Sequence, residues 1–481
     1  MKNKTYGVCL GLLALGLVGL GAPTSRAQSR LAAGGTGGGS DPTTTSATSS
    51  SSTPAASSSA DLRRRIDALK AELADLNTEL AAETEPAAPA TDVPQDQGTP
   101  APATPAQAPA TAPAAAAPMP LPSPSMSAPL ATGIPHEIAA GPFGKVEVTG
   151  ILSGMGWTEG DHISGDMPTH VDLSNAQVFI QKTTGVFQFY LQGGAYNLPA
   201  LGLPWTRTVD TVKNLYGPFP TGYIKLVKGN FNVEVGELPT LIGAEYTFDF
   251  ENMNIERGLL WNQENAITRG IQLNDTYKKL TLAFSWNDGY YSNKYNWLTG
   301  SAAYAINSAN TLTFVGGGNF NGNGRNTAAV GGPVPILQNN QIIFNLIYMY
   351  SHGNWMIMPY YQYTDVKANP SIGILEGGHT NGGAILANYN FKHGVSLAVR
   401  PEYIKSNGSV ATGEANLLYG PGSGGFSFTV TPTWAKDGFF LRGDFSIVHL
   451  TNFVTTTGLG FGPDGTRLNQ PRGAIEAGFM F

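Results

Sequence analysis

The chain ends in Arg472-Gly473-Ala474-Ile475-Glu476-Ala477-Gly478-Phe479-Met480-Phe481. Ile475, Ala477, Phe479 and Phe481 fall on every second position, and Glu476 lies between them. A period of two is the mark of a strand with one oily face and one polar face. The same rhythm runs back to Lys145, and no helix long enough to span a bilayer accompanies it. Inside lipid a backbone must satisfy its own polar groups, so strands can cross only as a closed barrel. The sequence therefore predicts an all-β fold: a transmembrane antiparallel β-barrel of about sixteen strands over residues 141–481.

The connections carry the stronger signal. Short ones are expected at Thr183-Thr184-Gly185, Gly229, Lys278, Ser308-Ala309, His352-Gly353, His393-Gly394 and Lys436-Asp437. Long ones fall at 158–171, 197–220, 237–267, 289–297, 320–340, 366–380, 406–424 and 449–471. Strict alternation of short turns and long loops is how a membrane barrel is strung. The strands also declare their faces. Phe439, Leu441, Phe445 and Ile447 oppose Arg442, Asp444 and Ser446; Val395, Leu397, Val399 and Tyr403 oppose Ser396, Ala398, Arg400 and Glu402. A charge at the bilayer midplane costs roughly 2–4 kcal/mol, so the charged face must point inward. By this parity Lys225, Arg400 and Arg442 are bases of the lumen wall.

Ahead of the barrel the composition changes four times. Residues 1–27 read as a signal peptide: Lys2 and Lys4 supply the positive start, Val8 to Ala22 the apolar core, and Ser25 and Ala27 the cleavage signal. The only cysteine, Cys9, lies inside it, so a mature chain starting at Gln28 has no disulfide or thiol chemistry. Residues 28–60 are Ser, Gly and Thr-rich and are expected to be disordered. In residues 61–83 the seam Leu62, Ile66, Leu69, Leu73, Leu76 and Leu80 is spaced four, three, four, three, four, which predicts a short periplasmic coiled-coil helix. Such a seam favours a homo-oligomer, a trimer among the options; the other reading is a helix lying on a membrane or protein surface. Residues 84–140 form a Pro/Ala-rich linker.

Charged residues are 13% of the chain and aromatics 10%, which suits a barrel with aromatic girdles better than a soluble enzyme. The net charge of −6 offers nothing to nucleic acid. None of the seven histidines has metal-ligand spacing, and no Ser/His constellation suggests a barrel lipase. No cofactor is implied. The cluster Trp286, Tyr290, Tyr291, Tyr295 and Trp297 is read first as an interfacial girdle, and second as a surface for stacking sugars.

The long connection 237–267 is unusual. It holds Leu238, Leu241, Ile242, Tyr246, Phe248, Phe250, Met253, Ile255, Leu259, Leu260 and Trp261, too much apolar surface to stand in water. With the N-terminus in the periplasm it is the third outside loop, and the barrel interior is its nearest wall. Its run Gly243-Ala244-Glu245-Tyr246-Thr247-Phe248, then Asn252-Met253-Asn254-Ile255-Glu256-Arg257-Gly258-Leu259-Leu260-Trp261-Asn262-Gln263-Glu264-Asn265, resembles the OmpL-like β-barrel porin family. Ser285-Trp286-Asn287-Asp288-Gly289, Tyr291-Ser292 and Tyr295-Asn296-Trp297 belong to the same resemblance, which covers roughly Phe143 to Phe481.

The resemblance implies an outer-membrane porin that passes small hydrophilic solutes by passive diffusion, in contact with outer-membrane lipid. Phe481 resembles the signal read by the barrel assembly machinery. In porins the third loop bends inward and narrows the channel, with its acids facing wall bases. Carried over by position, Glu245, Asp249, Glu251, Glu256 and Glu264 are the candidates for the acidic side of the constriction. Opposed charge rows would favour polar solutes. The plainer reading is that these acids pair with Arg257, Arg269 and backbone amides to hold the loop down. Another class remains: a structural or adhesion protein with the barrel as anchor and the loops or the coiled coil binding a partner. In either class the extension is placed to fix the oligomeric state or to approach the cell wall.

Overall fold

A computed structural model describes residues 129–131, 135–320 and 335–481. The signal peptide, the segment 28–60, the coiled-coil seam Leu62, Ile66, Leu69, Leu73, Leu76 and Leu80, and most of the linker lie outside them. Seventeen strands form one sheet. The first, β1 (His136–Ala139), only hairpins onto β2. The other sixteen are β2 (Lys145–Glu159), β3 (Thr169–Lys182), β4 (Phe187–Tyr196), β5 (Thr221–Lys228), β6 (Phe231–Pro239), β7 (Ile267–Tyr277), β8 (Leu280–Asn287), β9 (Trp297–Asn307), β10 (Asn310–Asn319), β11 (Gln341–His352), β12 (Trp355–Val366), β13 (Gly378–Asn390), β14 (Val395–Ser406), β15 (Gly424–Lys436), β16 (Phe439–Thr451) and β17 (Asn469–Met480). Each pairs antiparallel with its sequence neighbours, and β17 pairs with β2. The result is a closed antiparallel sixteen-stranded barrel.

The period of two is what closes it. Along β16, Phe439, Leu441, Phe445 and Ile447 are exposed, while Phe440, Arg442, Asp444 and Val448 are buried. In β15, Phe426, Phe428 and Trp434 face out, and Ser427, Thr429, Thr431 and Thr433 are buried. Outward apolar and inward polar residues invert the pattern of a water-soluble barrel and match one solvated by lipid. Among the described residues no helix is long and apolar enough to cross a membrane.

Hairpin turns leave the odd-numbered strands and long loops the even-numbered ones. Between β15 and β16 the turn is Asp437-Gly438, with φ of 53° and 85°. Two left-handed residues make the turn whose twist matches the strands. The pairing of Lys436 with Phe439 moves the turn one residue beyond the expected Lys436-Asp437. The loop after β4 carries a short helix, α1 (Thr208–Asn214).

Two features come from the stretch expected as linker. Strand β1 places His136 opposite Val148. Leu130 is buried in the cluster that contains Ile151, Phe440 and Met480. The chain end closes against the same region. Gly150 N–H donates to the Phe481 carbonyl at 2.9 Å, and Phe481 N–H donates back to the Gly150 carbonyl at 3.0 Å.

Candidate functional site: the loop inside the barrel

Residues 240–266 connect β6 to β7 by crossing the lumen. Their apolar side chains form two anchors. Ile242, Met253, Leu259 and Leu260 pack in a cluster with Ile343, Tyr360, Ile404 and Val448 of the wall. Phe248, Phe250 and Trp261 pack in a second cluster with Phe179 and Tyr196. Phe250 stacks beside Phe248 at 5.9 Å and lies 5.6 Å from Phe179. Burial of this surface is the force that draws the loop inward.

Polar contacts fix where it sits. Arg400 donates to Glu245 Oε1 at 2.5 Å and to the Glu256 carbonyl at 2.7 Å. Arg442 donates to the carbonyls of Asp249 and Asn252, at 3.1 and 2.8 Å, and lies 3.5 Å from Glu476. Arg472 donates to Glu256 Oε1 at 3.0 Å and pairs with Glu159 at 2.8 Å. The wall supplies acceptors as well. Glu402 takes the N–H groups of Leu259 and Leu260, each at 2.7 Å. Asp444 Oδ2 takes Ile255 N–H at 2.8 Å and Glu256 N–H at 3.3 Å. Loop amides that would otherwise be orphaned are thus matched one by one.

The candidate residues are distributed unevenly. Glu245 and Glu256 contact wall bases directly. Asp249 Oδ1 accepts Asn175 Nδ2–H at 2.7 Å. Glu251 turns back on its own loop and accepts Phe248 N–H at 2.9 Å. Glu264 is buried beside Gly243. Of the wall bases, Arg400 and Arg442 meet the loop, whereas Lys225 pairs with Glu234 on the neighbouring strand at 3.0 Å. Arg472, Glu402, Asp444 and Asn175 join the site although none was a site candidate; the sequence places Glu402 and Asp444 only on the inward face of their strands. Their signal was inward parity on charged or amide-bearing strands.

Burial perturbs the loop's titratable groups. The Glu251 carboxyl is pushed up to about 8 by desolvation, against the Phe248 amide and the Arg257 charge. Glu264 is raised well above the usual carboxylate range by burial, with Glu245 and Glu402 adding repulsion. Arg257, the only base of the loop, is pulled down to about 10 by burial despite Asp249, Glu245 and Glu251 nearby. Its guanidinium lies over Trp261 at 5.1 Å. Arg400, Arg442, Asp444 and Glu476 are fully buried, so solvent does not reach these four wall side chains. A cavity of about 50 Å³ bounded by Tyr190, Thr221 and Thr247 remains beside the loop. Among the described residues no group of three or more His, Cys, Asp or Glu side chains is arranged to hold a metal ion.

A sixteen-stranded lipid-facing barrel with a long loop folded into its lumen defines a porin-type outer-membrane protein. The family described as "Putative beta-barrel porin-2, OmpL-like" matches residues 145–481. The chain belongs to that family, and its place is the bacterial outer membrane. Among curated proteins no sequence matches it. Solved structures similar to it include OmpT, an outer membrane protein of Vibrio cholerae (10% identity, 72% of this chain and 100% of that one, TM-score 0.46). The outer membrane channel DcaP of Acinetobacter baumannii is also similar (7% identity, 70% and 97%, TM-score 0.46). A third is OccK3 of Pseudomonas aeruginosa (11% identity, 70% and 95%, TM-score 0.36).

Proposed function

We propose that the protein is a channel for passive diffusion of small hydrophilic solutes, and that residues 240–266 set the width and charge of its path. The observation that carries this reading is the loop's course through the lumen to the far wall, pinned by Arg400 and Glu245. Glu245, Asp249, Glu251, Glu256 and Glu264 would form the acidic side, and Lys225, Arg400 and Arg442 the basic side. No chemical step is needed for this role, because the concentration gradient drives it. The N-terminal extension would lie in the periplasm. Its coiled coil would hold chains together as a trimer or another homo-oligomer, or approach the cell wall. Phe481 would be read by the assembly machinery.

Single-channel recording of purified protein in planar bilayers tests the reading. Steady ohmic conductance with a finite ion preference is expected. A second reading, a structural or adhesion protein anchored by its barrel, is favoured by the complete burial of Arg400, Arg442, Asp444 and Glu476. Electrically silent barrels that are correctly inserted would decide for it.

A further inference from the structure

A cavity of about 480 Å³ lies on the long-loop side of the lumen loop. It draws residues from the loops after β2, β4, β6, β14 and β16, all of which leave even-numbered strands and so meet at one end of the barrel. Its size is that of a pocket for one drug-sized molecule, roughly 300–1,000 Å³. The lining is unlike that of a simple hydrophilic vestibule. Leu198, Leu203 and Leu215 come from the loop after β4, and Leu418 and Tyr419 from the loop after β14. Phe461 faces them from the loop after β16, its ring 5.5 Å from that of Tyr419.

Charge is almost absent. No Lys or Arg lines the cavity. Its single carboxylate, Asp210, is already paired with Arg207 at 2.7 Å. The polar groups come from two connections: Thr206, Thr211 and Asn214 follow β4, and two amides belong to the lumen loop. Asn262 and Gln263 belong to residues 240–266 and line the cavity. Their amide N–H groups are used, on the carbonyls of Leu201 and Leu417 at 2.9 and 2.7 Å. Asn262 Oδ1 and Gln263 Oε1 are buried acceptors that receive no hydrogen bond. Such acceptors are costly until a donor reaches them.

We infer that this cavity is a binding site for a neutral solute with an apolar ring or branched aliphatic body and hydroxyl or amide donors at one end. The body packs among the leucines and Phe461. The donors meet the polar part of the lining, Thr206 and Asn214 with Asn262 and Gln263. Because Asn262 and Gln263 belong to the lumen loop, a solute held there contacts the element proposed to set the path. The inference rests on the channel reading and narrows its solutes to hydrophilic molecules that also carry an apolar part.

Phenyl β-D-glucoside is a suitable probe, being neutral, water-soluble, and aromatic at one end and hydroxylated at the other. Calorimetric titration into the full-length protein in detergent, with the heat of detergent alone subtracted, measures its binding. The expected result is at least tenfold tighter binding than for glucose or benzoate, with a negative heat-capacity change from apolar burial. Leu203→Ser and Leu459→Ser sit at half-buried and exposed positions of the lining, where the fold tolerates change, and each should weaken binding at least threefold. Equal affinity for glucose, no binding of the glucoside, or affinity untouched by both variants would overturn the site. Conductance of the same preparation separates the two claims. A conducting barrel that ignores the glucoside removes the site alone. A silent barrel that binds it removes the channel and leaves the site standing.

Discussion

Arg400 on β14 meets Glu245 of the lumen loop at 2.5 Å, although 155 residues separate them in the chain. Both side chains are essentially sealed from solvent, at 0% and 1% exposure. A pair in that position is worth little beyond its own desolvation, but removing one member leaves a buried charge alone.

Arg400→Ala should therefore destabilise by about 3–5 kcal/mol, the range for breaking a buried ion pair. Arg400→Met combined with Glu245→Leu should lose clearly less than the two single changes added together. Thermal unfolding of the four proteins in one detergent provides the cycle. Strict additivity would show that the contact carries no coupling.

Glu251 gives a pH dependence. Its carboxyl is protonated in the folded loop until about pH 8, whereas in an unfolded chain it ionises at ordinary carboxylate values. Its contribution to stability is fully present below the ordinary value and is lost as pH rises through about 8. Cation preference should accordingly grow between pH 7 and 9 as the loop gains charge. Glu251→Gln should match the parent at pH 6 and fail to show that growth, which reversal potentials in a salt gradient will report. Equal growth in parent and variant would assign it to another group.

Glu256→Gln differs in kind, because Glu256 accepts from both Arg472 and Ser446, at 3.0 and 2.8 Å. The amide keeps one acceptor and discards the charge. Cation preference should fall with the loss of that charge. Unchanged reversal potentials would remove Glu256 from the path.

Two turn glycines separate backbone strain from contact. Gly229 (φ 60°) has nothing within 4 Å of the position a Cβ would take, whereas at Gly438 (φ 85°) a Cβ would stand 2.6 Å from the Met480 carbonyl oxygen. Gly229→Ala should cost about 1 kcal/mol, the left-handed penalty alone. Gly438→Ala should cost at least twice as much in thermal unfolding. Similar losses would mean that the neighbouring strand end yields freely.

Gly150 makes the same argument at the chain end. A Cβ there would strike the Phe481 ring and stand 2.9 Å from the Gln177 carbonyl oxygen. Gly150→Val should lower the melting temperature by several degrees, in line with roughly 1–3 kcal/mol for overpacking. It should also reduce the fraction of protein that migrates as closed barrel in unheated gels.

The wall was legible because lipid and lumen impose opposite demands on alternate residues. Arg400, Arg442 and Lys225 follow from parity alone, since a charge on the lipid side is costly. The partners were not legible. Lys225 pairs straight across the ladder with Glu234, a relation set by register. Glu402 and Asp444 were visible as inward acids, but their targets are backbone N–H groups of Leu259 and Ile255, which every residue type presents alike. The outer cavity escaped for a related reason. Its leucines are scattered over four connections and become neighbours only when the barrel brings those loops together. Strand β1 hides in a stretch whose proline and alanine content reads as linker, and pairing with Val146 and Val148 overrides that local preference.

The ladder between β17 and β2 joins residues at opposite ends of the domain, Ile151 to Met480. Hairpins can accumulate one after another, yet however many have formed, the sheet still shows two bare edges until that last ladder zips. Each edge is a template for any passing strand. For an unfinished chain the hazard is capture by a copy of itself, and it ends in a single step when the circle shuts.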